Sequence, residues 1–148
     1  MTIASHILLG TDFSPAAESA AKLAVQLANL TRARITAVHV YSPALLGPPP
    51  GLTTLERSSQ ETQFALEKAL TQALEKLRDD QIKEVADTQI KLIAEDSPAD
   101  ALTKYAKDNG VDLIVVASHG RTGLAHLLIG SVAEKVVRHS PCPVIVAR

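Results

Sequence analysis

The sequence predicts an α/β fold built on a doubly wound parallel sheet, and two observations carry that prediction. Short apolar or β-branched runs alternate with longer segments whose apolar residues recur every three or four positions, giving five strands to four helices. Two of the helical segments also open alike, at Ser14-Pro15 and Ser97-Pro98, each a serine cap followed by proline at the first helical position. Strands and helices alternating in this way pair in parallel through right-handed crossovers, which leaves helices on both faces of the sheet.

Residues 6–11 form the first strand, an apolar run that ends in Asp12-Phe13-Ser14-Pro15. The helix over 15–31 follows, with Ala20, Leu23, Ala24, Leu27 and Leu30 as the stripe that faces a core. A β-branched second strand occupies 34–40. Residues 43–51 hold four prolines and two glycines, which suit neither regular structure, so they read as a loop near the mouth of any site at this end. The second helix covers about 54–80, and Thr53-Thr54-Leu55-Glu56 has the spacing of a capping box. Residues 88–93 alternate polar and apolar, the pattern of a strand at a sheet edge. The third helix runs from Pro98 to Asn109-Gly110, where glycine can take the left-handed conformation that stops it. Residues 111–116 are a continuous apolar strand that fits the middle of a covered sheet. A helix at about 130–140 and a last strand at 143–147 complete the chain. No repeat, linker or low-complexity tract interrupts it, so residues 1–148 read as one domain.

Bulk properties exclude several classes. Hydrophobic residues make up 46% and charged residues 21% of the 148, and the net charge is −1, so no global positive field draws the chain onto nucleic acid or anionic lipid. Cys142 is the single cysteine, which excludes an intramolecular disulfide framework and a thiolate zinc cluster; between Pro141 and Pro143 it reads as a packed thiol. The opening MTIASHILLGTD lacks the features of a signal peptide, and no apolar run approaches the ~18 residues of a membrane span. The expectation is a cytoplasmic protein with no membrane insertion.

If the first and fourth strands are the central neighbours, the strand order is 3-2-1-4-5 and the winding reverses between them. Ligands in such sheets lie at that switch point, beyond the carboxyl ends of the strands. Gly10-Thr11-Asp12 ends the first strand there, and Ala117-Ser118-His119-Gly120 ends the fourth. The stretch ASHGRTGLAHLLIGS, residues 117–131, then leads into a helix. Glycines 120, 123 and 130 can adopt positive φ and leave backbone N–H groups uncovered. Gly130-Ser131 begins a helix whose free amides and dipole favour an anion, and the Ser131 hydroxyl adds a donor. Together these read as a phosphate cradle. Blander roles stay open: turn formation for Gly120 and Gly123, helix capping for Ser131, solvation for Arg121. Asp12 caps a turn, or binds a ribose hydroxyl or a magnesium ion held by phosphates. His119 and His126, seven apart with no cysteine or clear carboxylate beside them, make a poor metal site. Neither G-x-x-x-x-G-K-[ST] nor G-x-G-x-x-G after the first strand is present, nor is G-x-S-x-G, which removes the signatures of P-loop NTPases, dinucleotide dehydrogenases and serine hydrolases. No catalytic nucleophile and base stand out.

Gly120, nine residues, then Gly130-Ser131 and VAEKVVRHSPCPVIVAR closely resemble the universal stress protein family. The likeness runs from ILLGTDFSPAAESAAKLAVQLA through VHVYS and SPADALTKYAKDNGVDLIVVASHGRTG. It implies a Rossmann-like fold, usually dimeric, and an ATP-binding branch that carries G-x-x-G, nine residues, then G-[ST]. Gly120, Gly130 and Ser131 match and would hold the phosphates, whereas the first glycine falls on Ala117, which adds a methyl group at a strand end. By the same resemblance Thr11 and Asp12 would line the nucleotide pocket and Val40 would lie near the adenine. Val116, Val132 and Ala133 match positions around the ligand. Gly10, His119 and Arg121, at the same end of the sheet, complete the expected cofactor-binding set, and Asp12 is the candidate contact to a nucleotide-bound Mg²⁺. The expected protein is an ATP-binding sensing or regulatory module. Two rivals remain: a dimeric interaction protein that binds no nucleotide, for which Ala117 argues, and a slow ATPase using His119. The apolar strand at 143–147 would lie at a sheet edge, where pairing with its copy in a homodimer removes an aggregation hazard.

Overall fold

The computed structural model describes residues 3–46, 53–119 and 129–148. Five parallel strands, β1 (His6–Gly10), β2 (Arg34–Tyr41), β3 (Thr88–Ala94), β4 (Leu113–Ala117) and β5 (Val144–Ala147), form one sheet in the order β3-β2-β1-β4-β5. This is the expected order, with the switch between β1 and β4. Four helices, α1 (Pro15–Thr31), α2 (Thr53–Gln81), α3 (Pro98–Asp108) and α4 (Ser131–His139), cover its two faces. Side-chain alternation along β1 explains how one strand serves both. Ile7 and Leu9 enter the core that includes Ala24 of α1 and Leu74 of α2, while Leu8 enters the core with Leu102 of α3 and Val136 of α4. All of β1 is buried, as a central strand of a covered sheet requires.

Local chemistry fixes the helix ends. Ser14 Oγ accepts from Ala17 N at 3.3 Å and Ser97 Oγ from Asp100 N at 3.3 Å, each with proline opening the helix. Gly110, at φ 60°, takes the left-handed conformation expected after α3. The α1 stripe differs from expectation: Ala17, Ala20, Ala21, Ala24, Val25 and Ala28 are buried, whereas Leu30 is 79% exposed. Leu30 stands two residues past Ala28, about 200° further round the helix. The alanine row faces the sheet because small side chains let the helix approach closely, with Leu23 and Leu27 packed at its margin.

Several boundaries also move by a residue or more. β4 begins at Leu113, because Val111 N still bonds back to Ala106 O as α3 unwinds and Asp112 turns its carboxylate toward Ser5 and His6. The segment expected as a loop from Pro43 opens with a 3-10 turn, Pro43–Leu46, which proline's fixed φ permits at its first position. The capping-box side chains at the start of α2, and residues 47–52 of the proline-rich loop, lie outside the described residues. β5 starts at Val144, is paired among the described residues with β4 alone, and is half-buried over its first three residues. Among the described residues no helix is long and apolar enough to cross a membrane.

Candidate functional site

At the carboxyl end of β1 the chain leaves the sheet through a tight turn. Thr11 N donates to Val38 O at 2.9 Å, Phe13 N to Thr11 Oγ1 at 3.1 Å and Ser14 N to Asp12 Oδ1 at 2.9 Å, and Ser14 then caps α1. The sequence thus supplies, in consecutive residues, the hydroxyl and carboxylate acceptors the turn needs. One Asp12 oxygen does cap the turn. Phe13 sits at φ 62°, a left-handed conformation that costs a bulky residue about 1–2 kcal/mol. Its ring lies 4.6 Å from that of His39, centroid to centroid.

The opposite wall forms at the end of β4. Ser118 N donates to Ala147 O at 2.7 Å, Gly130 N donates to Ser118 O at 2.5 Å, and Ser118 Oγ contacts His119 Nδ1 at 2.9 Å. Gly130 is the N-cap of α4, with no side-chain capping bond, and its φ of −74° is ordinary. The expectation of positive φ at Gly130 is therefore corrected. A Cβ there would stand 2.8 Å from Ser118 O, so the position requires glycine through close approach of two backbones. A Cβ at Gly10 would likewise meet Val116 Cγ1 at 3.0 Å and Leu102 Cδ1 at 3.1 Å.

Between these walls lies a cavity of about 320 Å³. Gly10, Thr11, Asp12, Val40, Val116, Ala117, His119, Gly130, Ser131, Val132 and Ala133 all line it. Gly120 and Arg121, with Gly123 and His126, lie outside the described residues. Ser118, which the sequence places at the switch point with Ala117 and His119, lines it too, as do Ala17, Val38, His39, Pro98 and Leu102, which sequence reasoning did not single out. Pro98 could have been found: a strand end followed by a Ser-Pro helix opening places the helix start beside the switch point. Strand alternation separates neighbours on β4: Val116 packs into the α3 and α4 core, whereas Ala117 packs against the α1 and α2 core. The Ala117 methyl group thus belongs to the face opposite the Val116 side chain.

Electrostatics brace the rim. Lys135 of α4 donates to Asp100 Oδ2 at 2.8 Å and Ser97 Oγ at 3.1 Å, tying the first turn of α3 to α4. The Lys135 hydrogen bond, with that from Ser97, holds the Asp100 carboxyl below its ordinary range. Among the described residues no group of three or more His, Cys, Asp or Glu side chains converges as a metal cage.

Comparison with known proteins agrees with this architecture. The sequence model of the universal stress protein family matches residues 4–148. Universal stress protein MJ0531 of Methanocaldococcus jannaschii is 33% identical over 146 residues, covering 96% of this chain and 81% of its own length. Universal stress protein MJ0577 of the same organism is 32% identical over 151 residues, covering 96% of this chain and 93% of its own. The solved structure of MJ0577 superposes with a TM-score of 0.81 at 28% identity, covering 97% of this chain and 94% of that one. A universal stress protein solved in complex with cAMP shares the fold, with a TM-score of 0.71 at 23% identity over 98% of this chain and 97% of its own. The chain belongs to the universal stress protein family.

Proposed function

We propose that the cavity at the switch point binds ATP, together with Mg²⁺, and that its occupancy makes this protein a cytoplasmic sensing or regulatory module in the stress response. The observation that carries the reading is the contact at Gly130. It brings the start of α4, whose N-cap is a glycine, beside the end of β4 with no room for a Cβ, so that helix N-terminal residues and two strand ends border one cavity. Phosphates would lie against Gly130, Ser131, Val132 and Ala133, with Gly120, Arg121 and His119 from the preceding segment. A planar base would lie on the apolar wall of Val40 and Val116, the ribose near Thr11 and Asp12, and Gly10 and Ala117 would form the floor. The cavity volume is at the lower end of the usual range for small-molecule sites, roughly 300–1,000 Å³. With no carboxylate cage among the described residues, a magnesium ion would be held mainly by phosphate oxygens, with Asp12 at its edge; it would supply charge neutralisation. The edge strand β5, paired only with β4, supports a homodimer through residues 143–147.

Thermal unfolding with ATP, ADP, AMP and GTP, with and without Mg²⁺, tests this on the wild type and on Ser131→Asp. The acidic residue suits the first turn of α4 and leaves folding intact, yet repels phosphate. Ligand at a hundred times its dissociation constant adds about 2.7 kcal/mol, a rise of roughly 5–10 °C for a domain this size. The expected result is an adenine-specific rise in the wild type that shrinks in Ser131→Asp, with dimers on sedimentation. No rise at millimolar ATP, or an equal rise in the variant, would overturn the assignment.

A further inference from the structure

His39 is the feature that the site as proposed leaves unexplained: a buried, polar, aromatic residue near the end of a strand whose buried residues also include Ile35, Thr36, Ala37 and Val38. Its Nδ1 lies 2.8 Å from Thr11 O. A carbonyl oxygen only accepts, so Nδ1 carries the hydrogen and donates it. The pairing of β1 with β2 ends at Gly10 opposite Val38, and Thr11 N–H makes the last backbone bond, to Val38 O. Beyond that point the chain turns away from β2, and the carbonyl that leaves the sheet is met by a side chain of β2. The same imidazole packs against Phe13, the residue held at φ 62°. One ring therefore grips the turn at both ends, by a hydrogen bond to Thr11 and by an aromatic contact to Phe13.

We infer that His39 is a positioning residue: it clamps the turn of residues 11–14, so that Thr11 and Asp12 are presented to the cavity in one geometry before any ligand arrives. Strained backbone persists only where its surroundings over-determine it, and it clusters at sites that gain from being preorganised. The turn's internal bonds, Phe13 N–H to Thr11 Oγ1 and Ser14 N–H to Asp12 Oδ1, use the two side chains at issue, so releasing the Thr11 carbonyl loosens both. Only the consequence for affinity rests on the nucleotide reading; the clamp itself is a property of the free protein.

Two kinds of variant separate the hydrogen bond from the ring. His39→Asn puts an amide nitrogen where Nδ1 stood and keeps the donor, while His39→Phe keeps the ring and removes the donor. His39→Val, suited to a buried strand, is a second variant without the donor. Amide hydrogen exchange at Phe13 and Ser14 in ligand-free protein reads the clamp, with amides in the middle of α1 as the internal reference, and calorimetric ATP affinity reads its consequence. His39→Phe and His39→Val are expected to speed exchange at the two turn amides and weaken ATP binding by about tenfold. His39→Asn should stay within about threefold of the wild type on both. Wild-type exchange and affinity in the donor-free variants would overturn the inference. So would damage in His39→Asn equal to that in His39→Phe, because keeping the donor would then have preserved nothing. Failure of the wild type to bind ATP would overturn the proposed ligand, while the exchange rates would still decide whether His39 clamps the turn.

Discussion

The two ends of β1, a strand of five residues, are built on opposite plans. At the amino end, His6 is 3% exposed, with Nε2 at 2.8 Å from Thr36 Oγ1 and Nδ1 at 3.1 Å from Arg34 Nη2. A guanidinium only donates, so Nδ1 accepts, and Nε2 carries the hydrogen that goes to Thr36. Beside it, Asp112 Oδ2 accepts from Ser5 N at 2.8 Å, Ser5 Oγ at 2.6 Å and His6 N at 2.9 Å. The polar groups there are used on each other. At the carboxyl end a strained turn, two glycines in tight contact and a glycine-capped helix start surround a cavity. The difference teaches that the parallel sheet separates tasks along its strands. Helices that return over such a sheet start at the strands' carboxyl ends, so donors gather there and the other end is left to hold the sheet together.

Gly130→Val should break the contrast most severely. Its side chain would begin 2.8 Å from Ser118 O, so the start of α4 must shift. The expected cost is about 1–3 kcal/mol, a melting point lower by roughly 3–10 °C, together with loss of stabilisation by ATP. Differential scanning calorimetry with and without nucleotide measures both, and unchanged ATP stabilisation would mean that the close approach does not build the site.

Thr36→Val, at the other end, removes the hydroxyl partner of the His6 Nε2 hydrogen in a buried place. Urea unfolding should show a loss of about 1–3 kcal/mol. ATP affinity, measured on the same sample, should be unchanged. A change in affinity would show that the two ends are not independent.

The smallest effect is one of pH. Burial, and then the charge of Arg34, hold His6 below its ordinary value of 6.5, against the opposing pull of a hydrogen bond to the Asn109 backbone and of the charges of Asp112 and Asp87. The unfolded chain therefore takes up this proton first, so stability is full above about pH 6.5 and falls as pH drops through the folded-state value. Asp112 is also held down, chiefly by the Ser5 hydroxyl, but its window opens only below 3.8. His6→Gln, which retains a donor for Thr36, should remove the first window alone. Between pH 7 and 5 the wild type should lose more stability than the variant, by at most about 1.4 kcal/mol per pH unit. Parallel urea curves at the two pH values would disprove that assignment.

The sheet order and the cavity walls could be read from the chain because each left a local trace: Ser-Pro at two helix starts, alternation in β3, and glycine at two points of backbone contact. What escaped depended on neighbours distant in sequence. Leu30 fits the helical period of α1, yet the alanine row proved the better contact with the sheet. His39 sits among apolar residues in a strand covered on both sides, where nothing nearby shows that Thr11, 28 positions earlier, needs a partner for its carbonyl. Gly130 reads in the sequence as a residue free to take positive φ, whereas its φ is compatible with any residue and the demand for glycine is steric, made by Ser118. The segment that includes Gly120 and Arg121 is where the sequence pattern says most and the described residues add nothing.

The strands all run one way, from the clasp between Ser5 and Asp112 toward the rim where Ala147 O receives Ser118 N. That direction gives the molecule a handle and a working end. Attached to a surface through an extension ahead of Ser5, it would face the cavity into solution; attached beyond Arg148, it would hold the same opening against the support. If the cavity takes nucleotide as proposed, a film or a pull-down made from this protein should respond well in the first orientation and poorly in the second.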